Sequence, residues 1–311
     1  MQKLELIRNY ATRKLFKFER SRLEESERKT PPITRAPKVA FVVPYYGAFP
    51  PTFPLVLETC ARNPDFDWLI FTDIVPSRLW PANVKRIELS AAKLSELVEE
   101  RCGFSVNIGR FPYKLCDLKP MYGWLFSEYL SGYDFWGFCD VDLFWGRIDR
   151  FITPEMLRQF DVISGAEYET SGPCCILRNC EILTRLYEEI PNLKKMIEAE
   201  SSYIVDETYL TRAVRQLWRS RGIQYLFKDL HRHWGQVRLG SRPELYAWIN
   251  GRVVRVRASP EGEIEILDET MYFHPVKHER LDFEMHSGIQ GWIILPNELT
   301  PLESASPLLD G

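Results

Sequence analysis

The chain has 311 residues, of which 45% are apolar, with 18 Phe, 14 Tyr and 9 Trp, and a formal net charge of -3. This length suits one large domain or two modest ones. The aromatic content excludes a disordered chain, and the charge argues against a general nucleic-acid binder. Cys60, Cys102, Cys116, Cys139, Cys174, Cys175 and Cys180 form no C-x-x-C pair. Their odd number reads as reduced, buried thiols rather than a disulfide framework or a structural zinc site. No apolar run approaches the roughly 20 residues of a membrane span, and no secretory leader opens the chain. A cytoplasmic protein is expected, peripheral at most to a membrane.

Three regions are expected: an N-terminal basic helical segment and linker (1–37), a main domain (38–285) and a C-terminal tail (286–311). In residues 1–30, Lys3, Arg8, Arg13, Lys14, Lys17, Arg20 and Arg22 punctuate Leu4, Leu6, Ile7, Leu15, Phe16 and Phe18. Such a helix lies on the inner, acidic face of a membrane or packs on the domain itself. Pro31, Pro32 and Pro37 then mark the linker.

The apolar run 39–43, stopped by Pro44, reads as a buried strand, followed by a loop at 45–51 and a helix at 53–60. Residues 68–72 and 83–89 read as further strands, and Ser90 as the cap of a helix. Residues 113–130 read as one helical region that Pro120 kinks or restarts. Residues 135–139 form the expected central strand. Further strands are expected at 160–164 and 174–177, and helices at 180–189 and 206–219. The alternating stretches 252–257 and 263–267 suggest an antiparallel addition at the domain edge. Together these units predict an α/β fold, a mostly parallel mixed sheet flanked by helices.

The segment YDFWGFCDVDLFWG (133–146) places Asp140 and Asp142 behind an aromatic strand. Carboxylates at i and i+2 of an extended strand point the same way, so both can converge on one hard cation. Ligands of open α/β sheets lie beyond the carboxyl ends of the strands. Residues 44–47, Thr72–Asp73, Asp140–Asp142 and 165–172 all fall there. No G-x-G-x-x-G and no G-x-x-x-x-G-K-[ST] follows the first strand, which speaks against a dinucleotide oxidoreductase and a P-loop phosphotransferase. Lys114 and Asp117, three apart, share a helix face. Asp117 either orients Lys114 toward a ligand or binds a hydroxyl itself. Lys119 and Arg147 read as phosphate contacts or surface salt bridges. His231 and His233 are expected in a wet basic loop. The polar loop 167–173 carries Ser171–Gly172, where backbone can approach a ligand closely.

The succession of apolar strand, PYYG loop, FTD, YKLCDLKPMYGWLF and YDFWGFCDVDLFWG resembles bacterial glycosyltransferase-like proteins of the GT-A fold over roughly residues 38–280. The resemblance implies transfer of a sugar from a UDP- or GDP-sugar to a saccharide or lipid-linked saccharide, in polysaccharide or lipopolysaccharide assembly. It implies Mn²⁺ or Mg²⁺ held at the D-x-D, with Asp142 a direct ligand and Asp140 beside the ribose or the cation. Tyr45, Tyr46 and Asp73 match nucleotide-base and ribose contacts. His274 matches a late third metal ligand, and Lys277 and His278 match phosphate contacts, although H-P-V-K-H departs from the H-x-x-G-x-x-K of one retaining group. Asp206 and Glu207 match an acidic pair that supplies a catalytic base. They equally suit the first turn of a helix. Two other readings remain: a metal-dependent nucleotidyltransferase or sugar-nucleotide hydrolase, and an inactive sugar-binding scaffold.

Overall fold

A computed structural model describes residues 33–233, 245–258, 264–275, 291–294 and 299–301. The expectations for residues 1–30, and for Lys277 and His278, lie outside these. The first described strands are β1 (Val39–Pro44), β2 (Phe66–Thr72), β3 (Val84–Glu88), β4 (Phe135–Cys139), β5 (Phe144–Trp145), β6 (Val162–Ser164), β7 (Cys174–Arg178) and β8 (Tyr225–Phe227). They are followed by β9 (His231–His233), β10 (Leu245–Ile249), β11 (Arg252–Ala258), β12 (Ile264–Thr270), β13 (Tyr272–His274), β14 (Gly291–Ile294) and β15 (Leu299–Pro301).

Seven of these strands form one mixed sheet in the order β3-β2-β1-β4-β7-β6-β8. β3, β2, β1 and β4 are parallel neighbours, β7 runs antiparallel to β4 and β6, and β8 is parallel to β6. Every residue of β1 is buried, as expected for a strand covered on both faces. Its side chains alternate between two cores. Val39, Phe41 and Val43 pack with the helix Phe53–Ala61 on one face; Ala40 and Val42 pack with the helix Ala91–Cys102 on the other. The Ser90 side chain caps the second helix, accepting from Lys93 N at 3.2 Å. After β3 the chain returns to the far side of β1 to form β4. The β1/β4 boundary is therefore a topological switch point, where ligands of such sheets bind.

The C-terminal part builds an antiparallel five-stranded sheet, β12-β11-β10-β14-β15, and a small sheet, β5-β13-β9. The segment expected as a tail supplies β14 and β15, because β10 would otherwise expose one edge. Gly146, directly after β5, fits this packing closely: a Cβ there would lie 2.9 Å from Thr270 O and Val253 N.

The helical region 113–130 is broken into Lys114–Leu118, a 3₁₀ turn Lys119–Met121, Tyr122–Leu125 and a 3₁₀ turn Ser127–Leu130. Pro120 has no N–H for a continuous ladder, so the axis restarts at Lys119. The stretch expected as a helix from Asp206 begins instead with a π-helical turn, Val205–Tyr209, followed by the helix Leu210–Arg221. No described helix is long and apolar enough to cross a membrane.

Candidate functional site

Asp140 leaves the carboxyl end of β4, its backbone N–H donating to Pro173 O at 3.0 Å. The turn through Asp142 leads into β5. β13 pairs antiparallel with β5, Tyr272 opposite Trp145 and Phe273 opposite Phe144, and this register carries His274 back to the two aspartates. His274 Nε2 lies 3.7 Å from Asp140 Oδ2 and 3.5 Å from Asp142 Oδ1. One ligand atom from each residue falls within 4.8 Å of the others, a spacing that could hold a metal ion. Two carboxylates with one imidazole suit a divalent cation, Mn²⁺ better than Mg²⁺.

The charges are coupled. Burial alone would push the Asp142 carboxyl up, but the facing His274 outweighs it and holds it below the usual range. Burial would push the His274 imidazole down, but Asp142 and Asp140 outweigh that and raise it. The pair of carboxylates therefore attracts positive charge to the place a cation would take.

Lys119 joins this triangle to the acidic pair. Its Nζ donates to Asp140 Oδ1 at 2.8 Å, Gly172 O at 2.8 Å and Asp206 Oδ2 at 3.0 Å. All three ammonium hydrogens have acceptors. Burial opposes its charge, but Asp140 and Asp206 outweigh it, and Lys119 is held well above the usual lysine value. Asp206 Oδ1 is buried with no hydrogen-bond partner among the described residues. Burial pushes the Asp206 carboxyl up against the pull of Lys119. Burial and then the charge of Asp206 push the half-buried Glu207 up.

The polar loop 167–173 is tied down near its end. Thr170 N donates to Thr211 Oγ1 at 2.8 Å, and the Thr170 hydroxyl lies 2.9 and 2.8 Å from the carbonyls of Asp206 and Glu207. A Cβ on Gly172 would stand 3.0 Å from Asp206 Oδ2 and 2.9 Å from Glu207 Oε1. The missing side chain at Gly172 admits the acidic pair.

A family model described as a family of unknown function, DUF6625, matches residues 41–303. The chain belongs to that family. No curated protein matches it. Solved structures resemble this DUF6625 chain distantly. The galactosyltransferase LgtC, in complex with donor and acceptor sugar analogs, is 10% identical over 64% of this chain and 76% of that one, with a TM-score of 0.36. The apo glycosyltransferase GlyE of Streptococcus pneumoniae TIGR4 is 9% identical over 62% and 46%, with a TM-score of 0.34. Mouse xyloside xylosyltransferase 1, apo, is 10% identical over 62% and 78%, with a TM-score of 0.25.

Three of the sequence-expected nucleotide residues lie at the carboxyl ends of β1 and β2. Tyr45 stacks on Phe49 at 5.2 Å and donates to Ala48 O at 3.0 Å. Burial and then the charge of Asp142 raise its phenol. The Tyr46 hydroxyl is buried without a partner among the described residues, and burial and then Asp73 raise it. Asp73 is exposed.

Other expected site residues are used differently. Lys114 and Asp117 do pair, at 3.0 Å, but deep in the protein and facing residues 196–205 rather than the metal triangle. Arg147 is half exposed and forks onto Asp149 at 2.9 and 2.7 Å, because the adjacent acid is its nearest partner. His231 is not in a wet loop: it lies on β9, 2.8 Å from Gly165 O and stacked on Tyr272. The backbone of His233 pairs with His274 in the parallel β9/β13 ladder.

Lys119, read from the sequence as a phosphate contact or a surface salt bridge, is instead buried between Asp140 and Asp206. A lysine ahead of Pro120 in an apolar segment was the available signal, since a buried ammonium needs acidic partners.

Proposed function

We propose that the chain is a metal-dependent glycosyltransferase of the GT-A kind, moving a sugar from a nucleoside-diphosphate donor, UDP- or GDP-linked, to a saccharide or lipid-linked saccharide. The observation that carries this reading is the convergence of Asp140, Asp142 and His274 at the β1/β4 switch point. When bound there, Mn²⁺ or Mg²⁺ would neutralise the donor diphosphate and favour its departure.

The chain's own residues would then divide the work. Tyr45, Tyr46 and Asp73 lie where a base and ribose would meet strand ends, and tyrosine offers both a stacking face and a hydroxyl. The unpaired Asp206 Oδ1 is suited to accept from a donor-sugar hydroxyl, while Oδ2 stays on Lys119. Glu207, the more exposed of the acidic pair and raised toward neutrality by burial and Asp206, is the better base for an acceptor hydroxyl. Lys277 and His278 are proposed phosphate contacts from the sequence resemblance alone.

Calorimetric titration with a panel of nucleoside diphosphates, with and without Mn²⁺, tests the reading on wild type and Asp142→Ala. Binding of one nucleotide that requires both Mn²⁺ and Asp142 is the expected result. Binding of none, with or without the cation, would remove the reading. Turnover of the matching nucleotide sugar separates transfer, which needs an acceptor, from hydrolysis or nucleotidyl transfer.

A further inference from the structure

Ile204 adopts φ 53°, ψ 50°. This left-handed conformation is disfavoured for a β-branched residue. The other described non-glycine residues with positive φ are Asn192 and Asn250, a residue type that tolerates it. Ile204 is 55% exposed, so its own burial does little to offset the strain. Directly after it the chain enters the π-helical turn that carries Asp206 and Glu207. Tyr203 and Ile204 stay outside while Val205 and Asp206 turn inward.

Asp117 holds this turn by the backbone groups on either side of the strained residue. Its Oδ1 accepts from Tyr203 N at 3.0 Å, Val205 N at 3.3 Å and Ser202 Oγ at 3.3 Å. Its Oδ2 lies 3.2 Å from Tyr203 N and accepts from Lys114 Nζ at 3.0 Å. Lys114 Nζ also donates to Met196 O at 2.5 Å and Ser201 O at 2.6 Å. Both side chains are almost wholly buried, where charge-assisted bonds are strong and an unpaired charge is costly. From the opposite side, the Thr170 hydroxyl meets the carbonyls of Asp206 and Glu207.

We infer that the Lys114–Asp117 pair is a positioning device that locks residues 202–205 in the strained turn from which Asp206 and Glu207 reach Lys119 and Gly172. Its kinetic consequence rests on the transferase reading. Its structural consequence does not. Strain of this kind persists only where the surroundings over-determine it, and π-type turns recur at functional sites. An ion pair that served only general stability would not need to bond the amides on both sides of Ile204.

The test compares wild type, Asp117→Asn, and the double variant Lys114→Met with Asp117→Leu. The double variant leaves no buried charge unpaired and is therefore expected to fold even if the single variant does not. Backbone amide exchange is followed in the metal-free protein at Tyr203 and Val205, with residues 39–43 of β1 as the internal reference. Mn²⁺ affinity and, with a nucleotide sugar, kcat and donor KM are measured on the same samples. Exchange at Tyr203 and Val205 is expected to rise about tenfold or more, with Mn²⁺ affinity unchanged. A kcat loss approaching ~100-fold at unchanged donor KM is expected from misplacing the acidic pair. Wild-type exchange at Tyr203 and Val205 in the folded double variant would overturn the inference. The exchange arm needs no turnover, so failure of the transferase reading, seen as absent nucleotide binding in wild type, is told apart from failure of the clamp.

Discussion

Asp140 faces two basic groups at once: Oδ1 meets Lys119, and Oδ2 faces His274. Among the described residues Asp142 has no lysine contact of this kind, so of the two aspartates it has more to give to a metal. Asp142→Ala should weaken Mn²⁺ binding by about 100-fold, at the upper end of what losing a supporting group costs a metal site; calorimetry reads it directly. The raised His274 also fixes a pH dependence. In the metal-free protein its stabilisation is fully present below the ordinary imidazole value of about 6.5 and is lost as pH climbs through the raised value. A metal needs the neutral ring, so Mn²⁺ affinity should fall as pH drops through that raised value, with about one proton released on binding. Titration in buffers of different ionisation enthalpy measures that proton, and His274→Ala should abolish it. His274 came from the family resemblance, whereas the two aspartates were legible because D-x-D after an apolar strand is a local pattern. Lys119 was not, since nothing local says that Asp140 and Asp206 will flank one ammonium.

The strands were the more legible elements. The apolar runs of β1, β2 and β4 are close to where the sequence places them, because strands covered on both faces are apolar throughout. The helices between residues 113 and 221 were less so. Their breaks follow tertiary bonds, such as those of Asp117 to Tyr203 N and Val205 N, which no periodicity reports. Ile204→Gly should relieve the left-handed strain and stabilise the protein by about 1 kcal/mol, a small rise in Tm by calorimetry. A second element-scale prediction concerns β6 and β7. The Arg178–Asp161 pair is buried, with Nε to Oδ1 at 2.6 Å. Arg178 also donates to Leu157 O, and Asp161 accepts from Gln224 N. The pair thereby joins β7, the helix Pro154–Gln159 and the residue before β8. Arg178→Met should cost about 3–5 kcal/mol, because it leaves a buried carboxylate uncompensated; chemical denaturation measures it. Asp161→Asn in the same background should recover part of that loss.

At the scale of the whole molecule, the proposed metal site joins parts of the chain that are distant in sequence. Asp140 and Asp142 lie in the turn that leaves β4 of the seven-stranded sheet for β5, whereas His274 arrives on β13, the partner of β5 in the small sheet. Alternation in β11 and β12 made the antiparallel addition legible. That β14 and β15 complete the same sheet was not, since strand partners depend on which edge is left uncovered. This division has a thermodynamic consequence. A cation that binds only the folded protein adds RT ln(1 + [L]/Kd), about 2.7 kcal/mol at a hundredfold excess over Kd. Because its ligands span both parts, the metal should stabilise β4 and β13 together. Thermal melts should rise with Mn²⁺ concentration and return to the starting value with a chelator. Amide protection should increase in both 135–142 and 272–274. Asp142→Ala should shift both effects to about 100-fold higher Mn²⁺. A rise confined to one segment would mean that His274 does not share the cation with the two aspartates, and the site would reduce to the D-x-D turn alone.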